Sequence, residues 1–142
     1  MFEHDAYPLD PRKVSAVFDA DRFATQACGA VIEKVDADEV VCSFEIGDIH
    51  RNAMGNVMGG AIFTLADFAL AICCNVHETP TVTISNTINF MSTAKGTRLT
   101  AHARAERSGR QVGFYHVTVH DDLGRHVATM QAVCSRRPDP AI

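Results

Sequence analysis

One apolar stretch dominates the pattern of this chain. From Ala61 to Cys74 only Thr64 and Asp67 are polar, so the segment reads as a helix with no flank suited to water, one that other protein must wrap. It is expected to stop near Asn75, because Pro80 follows and biases Thr79 toward extended geometry. Before it, Ala27 to Asp36 and Glu39 to Ile46 are strand-like, and Asp36-Ala37-Asp38 between them supplies the turn of a hairpin. After it come four more strands. In Thr81 to Met91 the residues Val82, Ile84, Ile88 and Phe90 alternate with Thr83, Ser85, Thr87 and Asn89, which leaves one face polar but uncharged. Leu99, Ala101, Ala103 and Ala105 then alternate with Thr100, His102, Arg104 and Glu106, a small-residue face against which a helix can press. Gln111 to His120 and Arg125 to Arg136 complete the set, set off by turns at 107–110 and 121–124 and followed by a Pro-rich end. At the start, Asp10-Pro11 opens a short amphipathic helix with Val14, Val17, Phe18 and Phe23 on its apolar side. That helix is expected to lie outside the main body and to end before Cys28-Gly29, with residues 1 to 9 loose.

Consecutive strands joined by short turns predict an antiparallel sheet, and the single apolar helix needs that sheet to curl around it. The class is therefore α+β. With 142 residues the chain is expected to be one domain, residues 1–142, with its core between about 27 and 136. The apolar helix is shorter than the ~20 residues of a membrane span, so no membrane partner is expected. A net charge of −4 and a pI near 5.9 argue against nucleic acid as a partner. The polar, acidic start has no signal-peptide pattern, which predicts a cytoplasmic location. The five cysteines at 28, 42, 73, 74 and 134 form no CxxC pair and read as reduced core thiols.

Chemistry enters with Asp67. An ionised carboxylate withdrawn from water costs several kcal/mol unless something offsets it, and a satisfied structural Asp is the bland explanation. The entrance to the helix, His50-Arg51-Asn52-Ala53-Met54-Gly55-Asn56-Val57-Met58-Gly59-Gly60, favours the functional one. Two glycines at a helix start let a backbone or ligand approach closely, and the free N–H groups of the first turn form an electropositive pocket suited to an oxyanion.

Asn52, Gly55, Met58-Gly59-Gly60 and Asp67, with Phe63-Thr64-Leu65-Ala66-Asp67, resemble the hotdog-fold acyl-CoA thioesterases of the phenylacetyl-CoA thioesterase type, over about Ala27 to Arg136. The resemblance implies a hotdog fold, hydrolysis of an aryl- or medium-chain acyl-CoA, and coenzyme A entering only as part of the substrate, with no cofactor. Asp67 then matches the base that activates water or the nucleophile that forms a mixed anhydride, and both roles stay open. Gly59 N–H matches the oxyanion donor, Gly60 the position that permits close approach, Asn52 the residue that orients thioester or water, and Thr83 a hydroxyl that assists Asp67. The family also implies a homodimer that forms the site, assembled further as a dimer of dimers.

Helix geometry agrees with a shared site, since eight residues place Gly59 and Asp67 roughly 12 Å apart. No single carbonyl touches both. Met58 stands where the family usually has His, and a thioether cannot donate to a thioester carbonyl; it is expected instead to line an apolar acyl pocket with Phe63 and Phe68. His50 lies close to the motif as a substrate-side candidate, with a plain surface histidine as the alternative. Lys95, Arg107 and Arg110, read as turn residues, are candidates for the phosphates of coenzyme A. His116 and His120 are roughly 13 Å apart on one strand, too far to share a metal, and no metal is expected. Two further classes stay open: a non-catalytic acyl-CoA sensor, which fits Met58, and an acyl thioester hydratase, which would need a histidine.

Overall fold

In the computed structural model, residues 1–77 and 80–136 are described. Helix α2, Gly59–Asn75, is the axis around which the chain is arranged. Six strands form one antiparallel sheet against it: β1 (Val31–Val35), β2 (Val40–Glu45), β3 (Thr81–Phe90), β4 (Arg98–Ser108), β5 (Val112–Asp121) and β6 (His126–Arg136). Their order is β1-β2-β4-β5-β6-β3. The α+β class predicted from the pattern, and the hotdog fold implied by the resemblance, are therefore present.

The small-residue face of β4 does what its alternation implied. Leu99, Ala101 and Ala103 are fully buried, and β4 is the strand on which α2 packs most extensively. Leu65, Leu70 and Ile72 of α2 have no exposed surface, each worth roughly 1.5–3 kcal/mol of burial. Ala105 departs from the expectation and stands exposed. It lies beyond Ala103, the last β4 residue paired with β2, so that side of the strand loses its neighbour.

Strand β3 also differs from its reading. Its apolar alternation suggested a buried face, yet Val82, Ile84 and Phe90 are 40%, 58% and 53% exposed. The reason is position, because β3 is the last strand of the sheet and pairs only with β6. A register shift between Thr83 and Ser85 turns Ile84 out of the ladder.

The N-terminal segment is tied down, contrary to the expectation for residues 1 to 9. Leu9 is buried and donates its N–H to Val35 O at 2.9 Å, Phe2 N–H reaches Val76 O at 2.8 Å, and Tyr7 stacks on His77 at 4.3 Å. The core thus begins at Leu9 rather than near Ala27. Helix α1, Pro11–Phe18, starts as predicted, with the Asp10 carboxylate accepting from Arg12 N–H at 2.9 Å. It ends earlier than expected, and a single π-helical turn, Phe23–Ala27, follows. Val14 and Phe18 are buried, with the Phe18 ring edge-on to Phe68 at 6.4 Å, so α1 belongs to the body. Val17 and Phe23 are 41% and 69% exposed and do not share that buried side.

The hairpin β1–β2 turns at Asp36, whose N–H bonds Glu39 O at 2.9 Å. Strand β1 starts only at Val31, because Gly29 just before it holds a positive φ of 71° that breaks the extended run. The β3–β4 loop is fastened by two acids. Asp121 accepts from the N–H groups of Lys95, Gly96, Leu123 and Arg125, and Asp122 from those of Thr97 and Arg98. Burial works to raise the Asp121 carboxyl, but those backbone donors outweigh it and hold the group below the usual carboxylate range. Helix α2 stops at Asn75, whose side chain accepts from Thr81 N–H at 2.9 Å. Thr79 and the Pro-rich end lie outside the described residues. All five cysteines are free. No helix among the described residues is long and apolar enough to cross a membrane.

Candidate active site

Gly60, Thr64, Asp67 and Ala71 recur on one side of α2, and none of them is buried. This stripe corrects the view of the helix as wrapped on every side. The sheet covers one flank, while on the opposite flank the π-helical turn and the residues just before it border a cleft of about 500 Å³. Asp67 opens into it, beside Asp21, Arg22, Phe23 and Ala24 of the N-terminal segment and Phe63, Phe68 and Ala71 of the helix. Partial burial, and then the like charge of Asp21, push the Asp67 carboxyl above its ordinary value. A carboxylate so placed is a stronger base than one in water and is still reachable.

At the other end of the stripe, the first turn of α2 carries unused donors. Ala61 and Ile62 both donate to Met58 O, at 3.0 and 3.2 Å, whereas Gly59 and Gly60 N–H find no acceptor among the described residues. Gly59 faces a second cleft, of about 470 Å³, with Asn52, Ile62, Phe90 and the loop residues Met91–Ala94. A Cβ at Gly59 would sit 3.2 Å from the Phe90 ring, while one at Gly60 would meet only the Met58 Cε at 3.5 Å. Within the chain it is therefore Gly59 that packs closely, against the Phe90 ring. Asn52 has its oxygen committed to the loop, accepting from Met54 and Asn56 N–H at 3.0 and 3.1 Å. Its amide nitrogen is the part left for a ligand.

The clefts of Asp67 and Gly59 have no lining residue in common, so within one chain the two halves of the proposed chemistry stay apart. Thr83 lines neither. It is exposed on β3, with its hydroxyl 3.7 Å from the Cys134 sulfur, and hydrogen bonding with Cys74 lowers the Cys134 thiol below its ordinary value. Met58 does not join Phe63 and Phe68. It lines a third cavity, of about 370 Å³, with Phe23, Ala27, Ile49 and His50. His50 is buried, accepts from Gly47 N–H through Nδ1 at 2.9 Å, donates through Nε2 to Cys28 O at 2.7 Å, and stacks on Phe44 at 4.1 Å. Both ring nitrogens are therefore occupied in holding the Asp48–His50 turn.

Lys95, Arg107 and Arg110 are exposed, but they are not neighbours. Lys95 precedes β4, whereas Arg107 lies within β4 rather than in a turn and Arg110 follows it. A strand of 11 residues spans roughly 36 Å, so one chain cannot offer all three to one coenzyme A. No group of three metal-binding side chains is found among the described residues. His116 bonds the Thr129 hydroxyl at 2.9 Å, and His120 stacks on His126 at 4.7 Å. Three residues that shape the clefts were missed: Asp21, Phe23 and Phe90. Phe90 read only as part of the β3 alternation, and the contacts of Asp21 and Phe23 cross from the N-terminal segment to α2 with no local signal.

Residues 54–128, just over half of the chain, match the family described as the Thioesterase superfamily. The chain belongs to the thioesterase superfamily. This thioesterase is 29% identical to the acyl-coenzyme A thioesterase PaaI of Escherichia coli (strain K12) over 122 residues, which cover 85% of its own length and 86% of the relative's. Its fold superposes on the solved E. coli PaaI protein of the phenylacetic acid degradation operon with a TM-score of 0.79 at 25% identity, covering 89% and 95% of the two chains. A hypothetical thioesterase protein from Streptococcus pneumoniae TIGR4, solved with coenzyme A, matches with a TM-score of 0.77 at 25% identity, covering 87% and 99%. The thioesterase is thus a PaaI-like hotdog protein, in a family of thioester hydrolases.

Proposed function

We propose that this protein hydrolyses acyl-CoA thioesters at sites shared between two subunits. One observation carries the reading: the unused Gly59 N–H and the Asp67 carboxylate open into clefts with no residue in common, so a thioester that needs both must lie between two chains. The free edge of β3, with Val82, Ile84 and Phe90 exposed, supports antiparallel pairing with a second copy. In such a dimer the Gly59 N–H of one chain holds the thioester oxygen as it becomes an oxyanion, a donor worth about 3 kcal/mol in comparable sites. Asp67 of the other chain either takes a proton from a water that attacks the carbonyl carbon and returns it to the departing CoA thiolate, or attacks that carbon itself, expelling CoA as thiolate that takes a proton from water and leaving a mixed anhydride that a second water hydrolyses. Asn52 contributes its amide N–H to orientation, and Phe63 and Phe68 form the wall beside the acyl group. Lys95 belongs with the Gly59 end and Arg107 and Arg110 with the opposite end, so a CoA that spans the pair draws on both chains. The S. pneumoniae relative, solved with coenzyme A, supports the ligand class.

A binding protein without turnover is the second reading, because Met58 puts no hydrogen-bond donor beside the glycine turn. A hydratase has less support, since both nitrogens of His50 are already bonded. Steady-state assays with aryl and aliphatic acyl-CoAs decide among them. Release of CoA by the wild type, reduced at least a thousandfold in Asp67→Asn, is expected. Tight acyl-CoA binding with no release by the wild type would mean the sensor reading instead.

A further inference from the structure

Two cavities flank the open stripe of α2, and one ring, that of Phe23, lines both. The Asp67 cleft and the third cavity, of about 370 Å³, have Phe23 and Thr64 in common. Thr64 turns its hydroxyl back onto Gly60 O at 2.8 Å, which leaves its methyl group for the groove. Phe23 is 69% exposed and sits on the π-helical turn, a rare element that frequently marks functional sites.

Beyond Phe23 the wall is apolar. Ala27, Ile49, Met58 and Ala61 form it, and its polar side chains are already occupied, His50 by Gly47 and Cys28 and Thr64 by Gly60. Burial raises the Cys28 thiol and keeps it neutral. A cavity with no free polar group on its side chains suits hydrocarbon and disfavours coenzyme A phosphates or sugar. It shares Phe23 and Thr64 with the Asp67 cleft, so for an acyl chain whose carbonyl lies at Asp67 the group that would reach it is the far end.

We infer that Phe23 sets the acyl-length limit of this protein, closing the Asp67 cleft against a second apolar chamber that takes the distal methylenes of a straight-chain acyl group. This rests on the reading of the Asp67 cleft as the acyl site. Aryl and medium-chain acyl groups fit in front of the ring, and longer chains must displace it. Each buried methylene is worth about fourfold in affinity, so opening the chamber to three or more extra methylenes gives a large, measurable change.

The test compares kcat/KM for straight-chain acyl-CoAs from four to sixteen carbons in the wild type, Phe23→Ala and Phe23→Ala/Ile49→Trp. Ile49 is 73% exposed, so both changes are at positions where folding is little at risk, and circular dichroism checks it. Phe23→Ala is expected to raise the long-chain to medium-chain ratio at least tenfold, and the Trp that fills the chamber to return it to the wild-type value. A ratio within twofold of wild type in Phe23→Ala overturns the inference. The same proteins are titrated with non-hydrolysable S-alkyl-CoA thioethers of matching lengths. If no protein hydrolyses any acyl-CoA but Phe23→Ala still extends the length dependence of Kd, the thioesterase reading falls and the length limit stands. If hydrolysis occurs and neither dependence moves, only the length limit falls.

Discussion

Asp67 combines two demands that pull against each other at the scale of a single residue: it must ionise to act, and its surroundings resist ionisation. Burial comes first and Asp21 second in raising its pKa, so kcat/KM is expected to fall as pH drops through a value above the ordinary carboxylate range. Asp21→Asn removes the like charge and leaves burial in place. The acid limb of a kcat/KM profile should therefore move to lower pH without reaching that of a solvated carboxylate; a limb that stays put would separate Asp67 from the chemistry. For stability the sign is opposite to that of a salt-bridged acid. A raised folded-state pKa favours the fold fully below the unfolded value, and that contribution is lost as pH rises through the folded one. The sequence made Asp67 legible, because a lone acid in an apolar run needs a reason. It could not reveal Asp21, whose contact depends on how the N-terminal segment lies across α2. His50 was similarly opaque: its position beside the motif is local, but its bonds to Cys28 and its stacking on Phe44 arise only once the chain has folded.

The elements differ in how much of themselves they disclose. The apolar run and the small-residue face of β4 each named their partner, since each has one size-compatible surface to meet. Strand β3 did not, because alternation reports which side a residue faces and is silent about whether anything covers that side. The anchoring of Leu9 to Val35 is likewise a long-range pairing with no local pattern. Within α2 the two glycines, indistinguishable in sequence, should behave differently. Gly60→Ala meets only the Met58 side chain, at 3.5 Å from Cε, so it should gain part of the interior helix preference of about 0.5–1 kcal/mol, read as a higher urea midpoint. Gly59→Ala pushes a methyl group to 3.2 Å from the Phe90 ring. It should show little of that gain and lose at least tenfold in kcat/KM as the ring is driven into the cleft.

For the molecule as a whole, the decisive question is which chain supplies which group. Asp67→Asn and Gly59→Ala homodimers should both be weak. Unfolded together at equal amounts and refolded, they form mixed dimers in which one of the two sites has an intact glycine turn and an intact acid. Random pairing gives about a quarter of the wild-type activity by the two-fold symmetry of such a pair, measured as CoA release. If both groups served from the same chain, mixing would recover nothing. Phe90, the ring that roofs Gly59, is the last residue of β3, the strand whose second neighbour in the proposed pair is the other copy, so it is the first to fray once the copies part. Warming that parts the two copies should thus strip the oxyanion turn of its shelter while the helix and the inner strands remain intact, so that heat silences the protein before it melts it.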